Sequence, residues 1–258
     1  MIRRSDGRRA QAMTRPRPQA GRAAPRRLAR VVAFAAVAAA LGGCASGPDA
    51  HPHDPLEPFN RGVYRFNEAV DEAVLKPVAQ GYQAAVPRPV RIGVNNFFGN
   101  LRDLWSAVNA VLQARPQPAV ENVMRFSVNT ALGFGGVLDL ASEMGITRTT
   151  LDFGQTLGRW GVPAGPYLVL PLLGPSTVRD TVALPVDRQG DPVAQGIDHV
   201  ATRNSLQALR IVDQRAGLLR AGELLEQAAL DKYGFTRDAY LARRQRQIDA
   251  AQGGGRDE

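Results

Sequence analysis

Apolar residues that recur every three or four positions run through the sequence from about residue 54 onward, and this period constrains the fold most. The first such stripe is formed by Phe59, Val63, Phe66, Val70 and Val74. Residues at these steps lie on one face of an α-helix. We expect this helix to begin either in a capping box at Asp54 or near Phe59, and to end at Pro77.

Four later segments have the same period. They begin at Pro87, Val120, Leu206 and Thr236. We expect Pro116 and Pro118 to end the first of these helices, and Gly133 to end the second. Alternation of apolar and polar residues, which is typical of strands, is scarce. The sequence therefore predicts a mainly α fold with few or no strands.

The segment Leu157–Pro175 differs from the rest because it is strongly apolar and contains four prolines and four glycines. Such a segment cannot form a continuous helix. Two interpretations stay open. It is either a buried loop with a short strand over Tyr167–Leu170, or a lipid-facing or pore-lining segment whose backbone is sheltered by protein.

The N-terminus has the pattern of a secretory signal. Ten arginines lie within residues 1–30, an apolar run covers Val31–Leu41, and Leu-Gly-Gly-Cys follows at residues 41–44. The apolar run is shorter than the roughly 20 residues of a spanning helix. We predict a lipoprotein signal peptide over residues 1–43, with Met13 as an alternative start, and acylation of Cys44. A lipidated tether (44–53), a single domain (54–247) and a disordered tail (248–258) follow.

Removal of the signal changes the charge of the chain. The whole sequence has a formal charge of +8, but residues 1–43 hold ten basic residues and one acidic residue. The remainder has 22 basic and 23 acidic residues, a net charge of −1. This balance gives no basic footprint for nucleic acid.

Residues with catalytic or metal-binding chemistry are sparse. His51 and His53 lie in the predicted tether, and His199 is the one histidine of the domain. The sequence has neither a G-x-S-x-G elbow nor a phosphate-binding glycine loop. We therefore expect no enzyme, no metal site and no cofactor.

Several runs of residues resemble one family. They are residues 54–61, 64–67, 86–101, 125–130, 153–158, 165–171, 174–180 and 231–240. In this order and spacing they resemble the MlaA (VacJ) family of outer-membrane phospholipid-transport lipoproteins, over about residues 54–244.

The resemblance implies a ring of amphipathic helices in the periplasmic leaflet of the outer membrane, around a central amphipathic channel. Mislocalised phospholipids would pass from the outer leaflet to a soluble periplasmic carrier of the MlaC type, which maintains lipid asymmetry. The resemblance also implies association with a trimeric outer-membrane porin, and an anchor of diacylglycerol and an N-acyl chain on Cys44.

Candidate channel residues come from the start of the domain and from the broken apolar segment. They are Phe59, Asn60, Phe66, Asn67, Tyr167, Leu168, Leu170 and Leu172. Each could equally be an ordinary core residue. Gly133, Gly135 and Gly136 are hinge candidates for a gating loop, or a helix stop with a tight turn. Arg179 and Asp180 form either a buried pair or a cap.

Two other functional classes stay open. The first is a structural envelope lipoprotein that scaffolds porins without moving lipid. The second is a phospholipid-cleaving enzyme with an unfamiliar site, for which substitution of His199 is the simplest check.

Overall fold

A computed structural model describes residues 51–253, except for the side chains of Ala228 and Gln252. The predicted signal peptide, Cys44 and the first part of the tether lie outside the described residues, as do residues 254–258.

The described chain is mainly α-helical, which confirms the predicted fold class. The helices are α1 (Glu57–Val70), α2 (Lys76–Ala85), α3 (Arg88–Leu112), α4 (Pro116–Ala131), α5 (Leu140–Glu143), α6 (Phe153–Arg159), α7 (Val178–Gln189), α8 (Pro192–Gln195), α9 (Val200–Ala228) and α10 (Lys232–Gly253). The two strands are β1 (Tyr167–Leu170) and β2 (Gly174–Thr177). No helix among residues 51–253 has the length and apolarity needed to cross a membrane.

Helix α1 begins at Glu57, between the two predicted starts, and no side chain caps it. The capping box at Asp54 does not form. The Asp54 carboxylate is buried and accepts hydrogen bonds from the side chains of Asn60 and Tyr233 instead. Asp54 therefore contributes to the interior of the fold rather than to the helix end.

The prediction that Pro77 ends the first helix is wrong. A π-helical turn over Asp71–Leu75 joins α1 to α2, and Pro77 lies in the first turn of α2. A proline inside an α-helix lacks an N–H and collides with the carbonyl four residues before it. In the wider turn, the N–H of Lys76 donates to the carbonyl of Asp71, five residues back. The π-helical turn thus lets the chain remain helical through the proline.

Pro116 and Pro118 also act differently from the prediction. Helix α3 already ends at Leu112, and both prolines lie in the first turn of α4. Proline suits the first turn because the N–H groups there have no partner within the helix. The short link lets α3 and α4 pack against each other.

The broken apolar segment contains the short strand of the first interpretation. Strand β1 pairs with β2 in an antiparallel hairpin, with Tyr167 opposite Thr177 and Leu170 opposite Gly174. Leu172 and Gly174 have positive φ values of 63° and 81°, which allow the sharp reversal between the strands. Thr177 ends β2, and its side chain caps the first turn of α7.

The C-terminal boundary differs from the predicted one. Helix α10 continues to Gly253, into the segment assigned to the disordered tail. Ile248 and Ala251 are buried on this helix. Apolar contacts of these two side chains extend the folded part beyond residue 247.

Candidate functional site

Helix α3 buries polar side chains and exposes apolar ones. Its buried polar residues are Asn100, Asp103, Ser106 and Asn109. Its exposed large apolar residues are Val90, Ile92, Leu104, Val108, Val111 and Leu112. This distribution is the reverse of a helix on the surface of a water-soluble protein.

Hydrogen bonds from neighbouring elements hold most of the buried polar face of α3, while Asn100 Oδ1 and Gln113 Oε1 have no partner among the described residues. The Thr156 hydroxyl of α6 donates to Asn109 at 2.8 Å and accepts from Gln113 at 3.0 Å. Asn100 donates to the Thr130 hydroxyl of α4 at 2.9 Å. These bonds replace the apolar contacts that hold most helix pairs together.

Helix α4 repeats the reversal around Arg125, whose side chain is 1% exposed. Arg125 donates to both carboxylate oxygens of Asp139, at 2.7 and 2.8 Å, and lies 3.4 Å from an oxygen of Asp103. Burial alone would raise the pKa of Asp139, but hydrogen bonds from Ser142, Asn129 and Arg125 lower it to about 2. On the same helix, Val120, Val123 and Met124 are exposed.

The described residues as a whole follow this pattern. More polar and charged side chains than apolar ones are buried, and large apolar side chains are exposed on most of the longer helices. Exposed apolar surface on this scale is typical of contact with a membrane or a partner. Amphipathic helices that do not cross a bilayer can lie along its interface.

A cavity of about 450 Å³ lies inside this apolar exterior. It is bounded by α3, α6, α7, α9, α10 and the β-hairpin, and we call it the first cavity. Its apolar lining includes Leu101, Leu170, Leu173 and Leu184. Its charged lining consists of four arginines (Arg102, Arg210, Arg243 and Arg244) and four aspartates (Asp152, Asp180, Asp187 and Asp191). The lining is therefore amphipathic.

A second cavity, of about 590 Å³, adjoins the first. Arg102, Thr150, Gln214 and Arg243 line both cavities, so these four residues mark a junction between them. The second cavity is more polar, with Asn95, Asp103, Arg148 and Asp213 in its lining. We call the two adjoining cavities together the path; polar residues form a larger share of the lining in the second cavity than in the first.

Ion pairs fix the polar walls of this path. Arg244 lies 2.6 Å from Asp152 and 2.8 Å from Asp180, and it links α10 to α6 and α7. Burial raises the pKa of Asp180, but the hydrogen bonds and charge of Arg244 outweigh burial and hold it below its usual range. Arg210 pairs with Asp191 at 2.7 Å. By contrast, Arg102 and Arg243 form no ion pair with any residue in the range 51–253.

Two of the predicted channel residues are interior instead. Asn60 is fully buried, donates to Asp54 at 2.7 Å and to the Tyr167 carbonyl at 3.0 Å, and accepts from the Val169 amide at 2.9 Å. Tyr167 is also fully buried. Both residues attach the hairpin to α1, and neither lines the first cavity. A channel role for them stays a prediction.

Asn67 has a similar position about two turns further along the same face of α1. Its side chain donates to the Leu170 carbonyl at 2.9 Å and accepts from the Leu172 amide at 2.8 Å. Asn60 and Asn67 thus hold the hairpin at two points. The second point fixes the tip of the hairpin, from which Leu170 and Leu173 line the first cavity.

The other channel candidates have different environments. Phe59 and Phe66 are 55% and 51% exposed, Leu172 is 66% exposed, and Leu168 is half-buried. Of the eight predicted channel residues, Leu170 is the one that lines the first cavity, and none lines the second. The exposed phenylalanines belong to the apolar surface, where a lipid contact stays a prediction.

The three hinge candidates lie in a hydrogen-bonded turn directly after α4. The amides of Gly133 and Gly136 both donate to the Asn129 carbonyl, at 3.0 and 2.8 Å. A Cβ at Gly136, whose φ is +96°, would come within 2.5 Å of Asn100. At Gly135, whose φ is +72°, a Cβ would meet nothing. This geometry corresponds to the helix stop with a tight turn, and the hinge role stays a prediction.

The remaining candidates have structural partners. Arg179 and Asp180 form a buried pair at 3.0 Å, and the cap of α7 is Thr177. His199 caps α9 by accepting from the Thr202 amide. Among residues 51–253 no cluster of three potential ligands could hold a metal ion.

The arginines at the junction were absent from the sequence-based candidates. A signal for the buried polar face of α3 did exist, because Asn100, Asp103 and Ser106 recur at a helical period opposite the apolar stripe of this helix. Arg102 and Arg243 have no such pattern. They share a cavity lining because α3 and α10 both pack against α6.

Comparisons with a family model and with known proteins indicate the same family. The model of the MlaA lipoprotein family matches residues 52–247. An Escherichia coli K12 protein named intermembrane phospholipid transport system lipoprotein MlaA is 38% identical over 226 residues, which are 83% of this chain and 86% of that protein. An uncharacterized Rickettsia typhi protein is 41% identical over 128 residues, which are 50% of this chain and about half, 51%, of that protein.

A solved structure concerning the structural basis for maintenance of bacterial outer membrane lipid asymmetry has the same fold. Its TM-score is 0.64 at 34% identity, and the match covers 76% of this chain and 98% of that chain.

Proposed function

The chain belongs to the MlaA lipoprotein family, and from this premise we propose that it removes mislocalised phospholipids from the outer leaflet of the outer membrane. The two adjoining amphipathic cavities beneath an apolar exterior carry this proposal. A phospholipid combines a charged headgroup with apolar chains, so a path for it needs cationic and apolar walls together. The related E. coli protein, by its name, belongs to an intermembrane phospholipid transport system.

The exposed apolar side chains give the protein its place in the bilayer. Val108, Val111, Val120 and Val123 would contact acyl chains on the periplasmic side of the outer membrane. Burial of apolar surface stabilises such an arrangement by roughly 25 cal/mol per Å². An acylated Cys44 would add an anchor, since several acyl chains together hold a protein firmly on a membrane.

Two partners complete the proposal. Trimeric porins would hold the protein at the outer membrane, and a soluble carrier of the MlaC type would accept the lipid on the periplasmic side. The path needs no covalent step, because lipid enters and leaves unchanged.

The test is the amount of phospholipid in the outer leaflet of a strain that lacks this gene. We expect it to rise on deletion and to return to normal with the wild-type gene but not with Cys44→Ala. Unchanged surface phospholipid after deletion, together with lost porin association, would favour the scaffolding function instead.

A variant pair on the hairpin tests the path itself. Leu170→Trp fills part of the first cavity and should fail to restore asymmetry. Leu172→Trp is the matched control, since Leu172 is exposed two residues further on and should tolerate the larger side chain. Equal activity of the two variants would contradict transport through this cavity.

A further inference from the structure

We propose that Arg102 and Arg243 bind the phosphate group of a phospholipid headgroup at the junction of the two cavities. This site rests on the proposed function and identifies the part of the path that recognises the headgroup. Arg102 lies on α3 and Arg243 lies on α10, so two separate helices present the two guanidinium groups.

The location of these arginines is the first argument. Both line the first and the second cavity. Thr150 and Gln214 share this property and add neutral hydrogen-bonding groups to the same junction. A molecule that moves from one cavity to the other therefore passes next to both arginines.

The availability of their charge is the second argument. The other arginines of the two cavities are occupied by carboxylates: Arg148 by Asp103 at 2.9 Å, Arg210 by Asp191 at 2.7 Å and Arg244 by Asp152 at 2.6 Å. In the described range, Arg102 and Arg243 have no carboxylate partner. Arg243 contacts the Tyr240 ring, with 5.8 Å between the guanidinium carbon and the ring centre. Both retain their donors for a ligand.

The electrostatic surroundings favour an anion at Arg102. The pKa of Arg102 is lowered, first by partial desolvation beside the surrounding protein, although the residue stays exposed to solvent, and then because Arg210 and Arg148 repel its charge. Asp103 and Asp191 oppose this effect and are outweighed. A bound phosphate supplies the missing negative charge, and guanidinium groups bind phosphate through paired N–H donors.

The apolar wall beside the junction selects a lipid over a free anion. Leu101, Leu170, Leu173 and Leu184 line the first cavity next to the arginines. An acyl or glycerol segment attached to the phosphate would contact these leucines, whereas inorganic phosphate would use the polar end alone. The site is therefore suited to an anion that carries an apolar tail.

Binding by the purified full chain in detergent tests this site. The probes are dihexanoyl phosphatidylglycerol and dihexanoylglycerol, which share their acyl chains and differ by the phosphorylated headgroup. We expect Arg102→Gln and Arg243→Gln each to raise the Kd for the phospholipid roughly tenfold, as for loss of a charge-assisted hydrogen bond. Neither variant should change the Kd for dihexanoylglycerol.

Arg246→Gln is the matched control, because Arg246 is exposed like Arg102 and Arg243 and lies on α10 with Arg243, but lines neither cavity. It should bind both probes like the wild type. Arg102→Lys and Arg243→Lys keep a positive charge and should bind the phospholipid more tightly than the Gln variants, which separates lost charge from a damaged fold. A double Gln variant with wild-type phospholipid affinity, or an equal loss for both probes, would overturn the site.

Competition with inorganic phosphate tests whether the site binds any free anion. It should leave the phospholipid bound at concentrations near the Kd of the lipid. If it displaces the lipid there, the arginines form a general anion site and the proposal is overturned.

Failure of this site is distinguishable from failure of the transport function. If deletion of the gene raises surface phospholipid but the Gln variants bind like the wild type, transport stands and the phosphate site does not. If deletion has no effect on asymmetry but the binding results are as expected, the site stands and transport does not.

Discussion

Arg125 is the buried cation on which the polar interior between α3, α4 and α5 depends. Its side chain is 1% exposed and contacts the carboxylates of Asp103 and Asp139 and, at 2.5 Å, the Ile146 carbonyl. Replacing Arg125 with methionine keeps much of the volume and removes all of these donors. We expect Arg125→Met to fold with a markedly lower free energy of unfolding.

The magnitude follows from the groups that lose their partner. Asp103 is 2% exposed and Asp139 18% exposed, and after the substitution Arg148 is the one cation beside them in the described structure. Removing one partner of a buried ion pair costs about 3–5 kcal/mol because the remaining charge stays buried. A domain of about 200 residues loses about 2–4 °C of Tm per kcal/mol, so Tm should fall by roughly 6–20 °C.

Thermal unfolding of the full chain in detergent, followed by circular dichroism, measures this change. Lys76→Met is the control, since Lys76 forms a part-exposed pair with Glu226 at 3.2 Å and such pairs contribute about 1 kcal/mol or less. A Tm of Arg125→Met within a few degrees of the wild type would refute the view that this ion cluster stabilises the fold.

Three further substitutions probe other parts of the structure. Asn60→Ala removes three buried hydrogen bonds and should accelerate amide exchange in the hairpin by tenfold or more, roughly the effect of 1.4 kcal/mol, whereas Asn96→Ala, at an exposed hydrogen bond, should not. Gly136→Ala should lower stability by about 1–3 kcal/mol more than Gly135→Ala in denaturant titrations, because both have positive φ but only Gly136 meets a neighbour. Since the folded pKa of Asp139 is about 2 and the unfolded value about 3.8, its contribution is complete above pH 4 and is lost as pH falls towards 2. Stability measured over this range should fall less steeply in Asp139→Asn, and an unchanged slope would contradict the assignment.

Helical periodicity predicted most of the elements because it depends only on local spacing. The stripes after Val120 and Leu206 fall within α4 and α9. The helix ends were less predictable. Pro77 is a helix breaker in isolation, and only the π-helical turn before it, which no residue pattern marks, keeps the chain helical there. Likewise, Ile248 lies beyond the predicted end of the domain, but its side chain is buried next to Gly158 of α6. This packing keeps the end of α10 folded.

Which face of each helix is buried and which is exposed was harder to predict than the helices themselves. The stripe containing Phe59 and Phe66 reads as a core face by the rule for water-soluble proteins, but both side chains are exposed. Asn60 is a channel candidate by its place at the start of the domain, whereas in the structure its side chain bonds to Asp54 and to the backbone of β1. The junction of Arg102 and Arg243 depends on packing between distant helices, which no local pattern encodes.

The buried polar faces of α3 and α4 determine how the stability of this protein varies with temperature. Heat capacity rises when apolar surface becomes hydrated during unfolding and falls when polar surface does. Without lipid or detergent, the exposed valines of both helices are already hydrated in the folded state, while unfolding hydrates asparagines, Asp103 and Arg125. The heat-capacity change should therefore lie below the roughly 12–15 cal/mol/K per residue of ordinary domains. A small heat-capacity change flattens the curve of stability against temperature, so the fold resists cooling better than a conventional apolar core does.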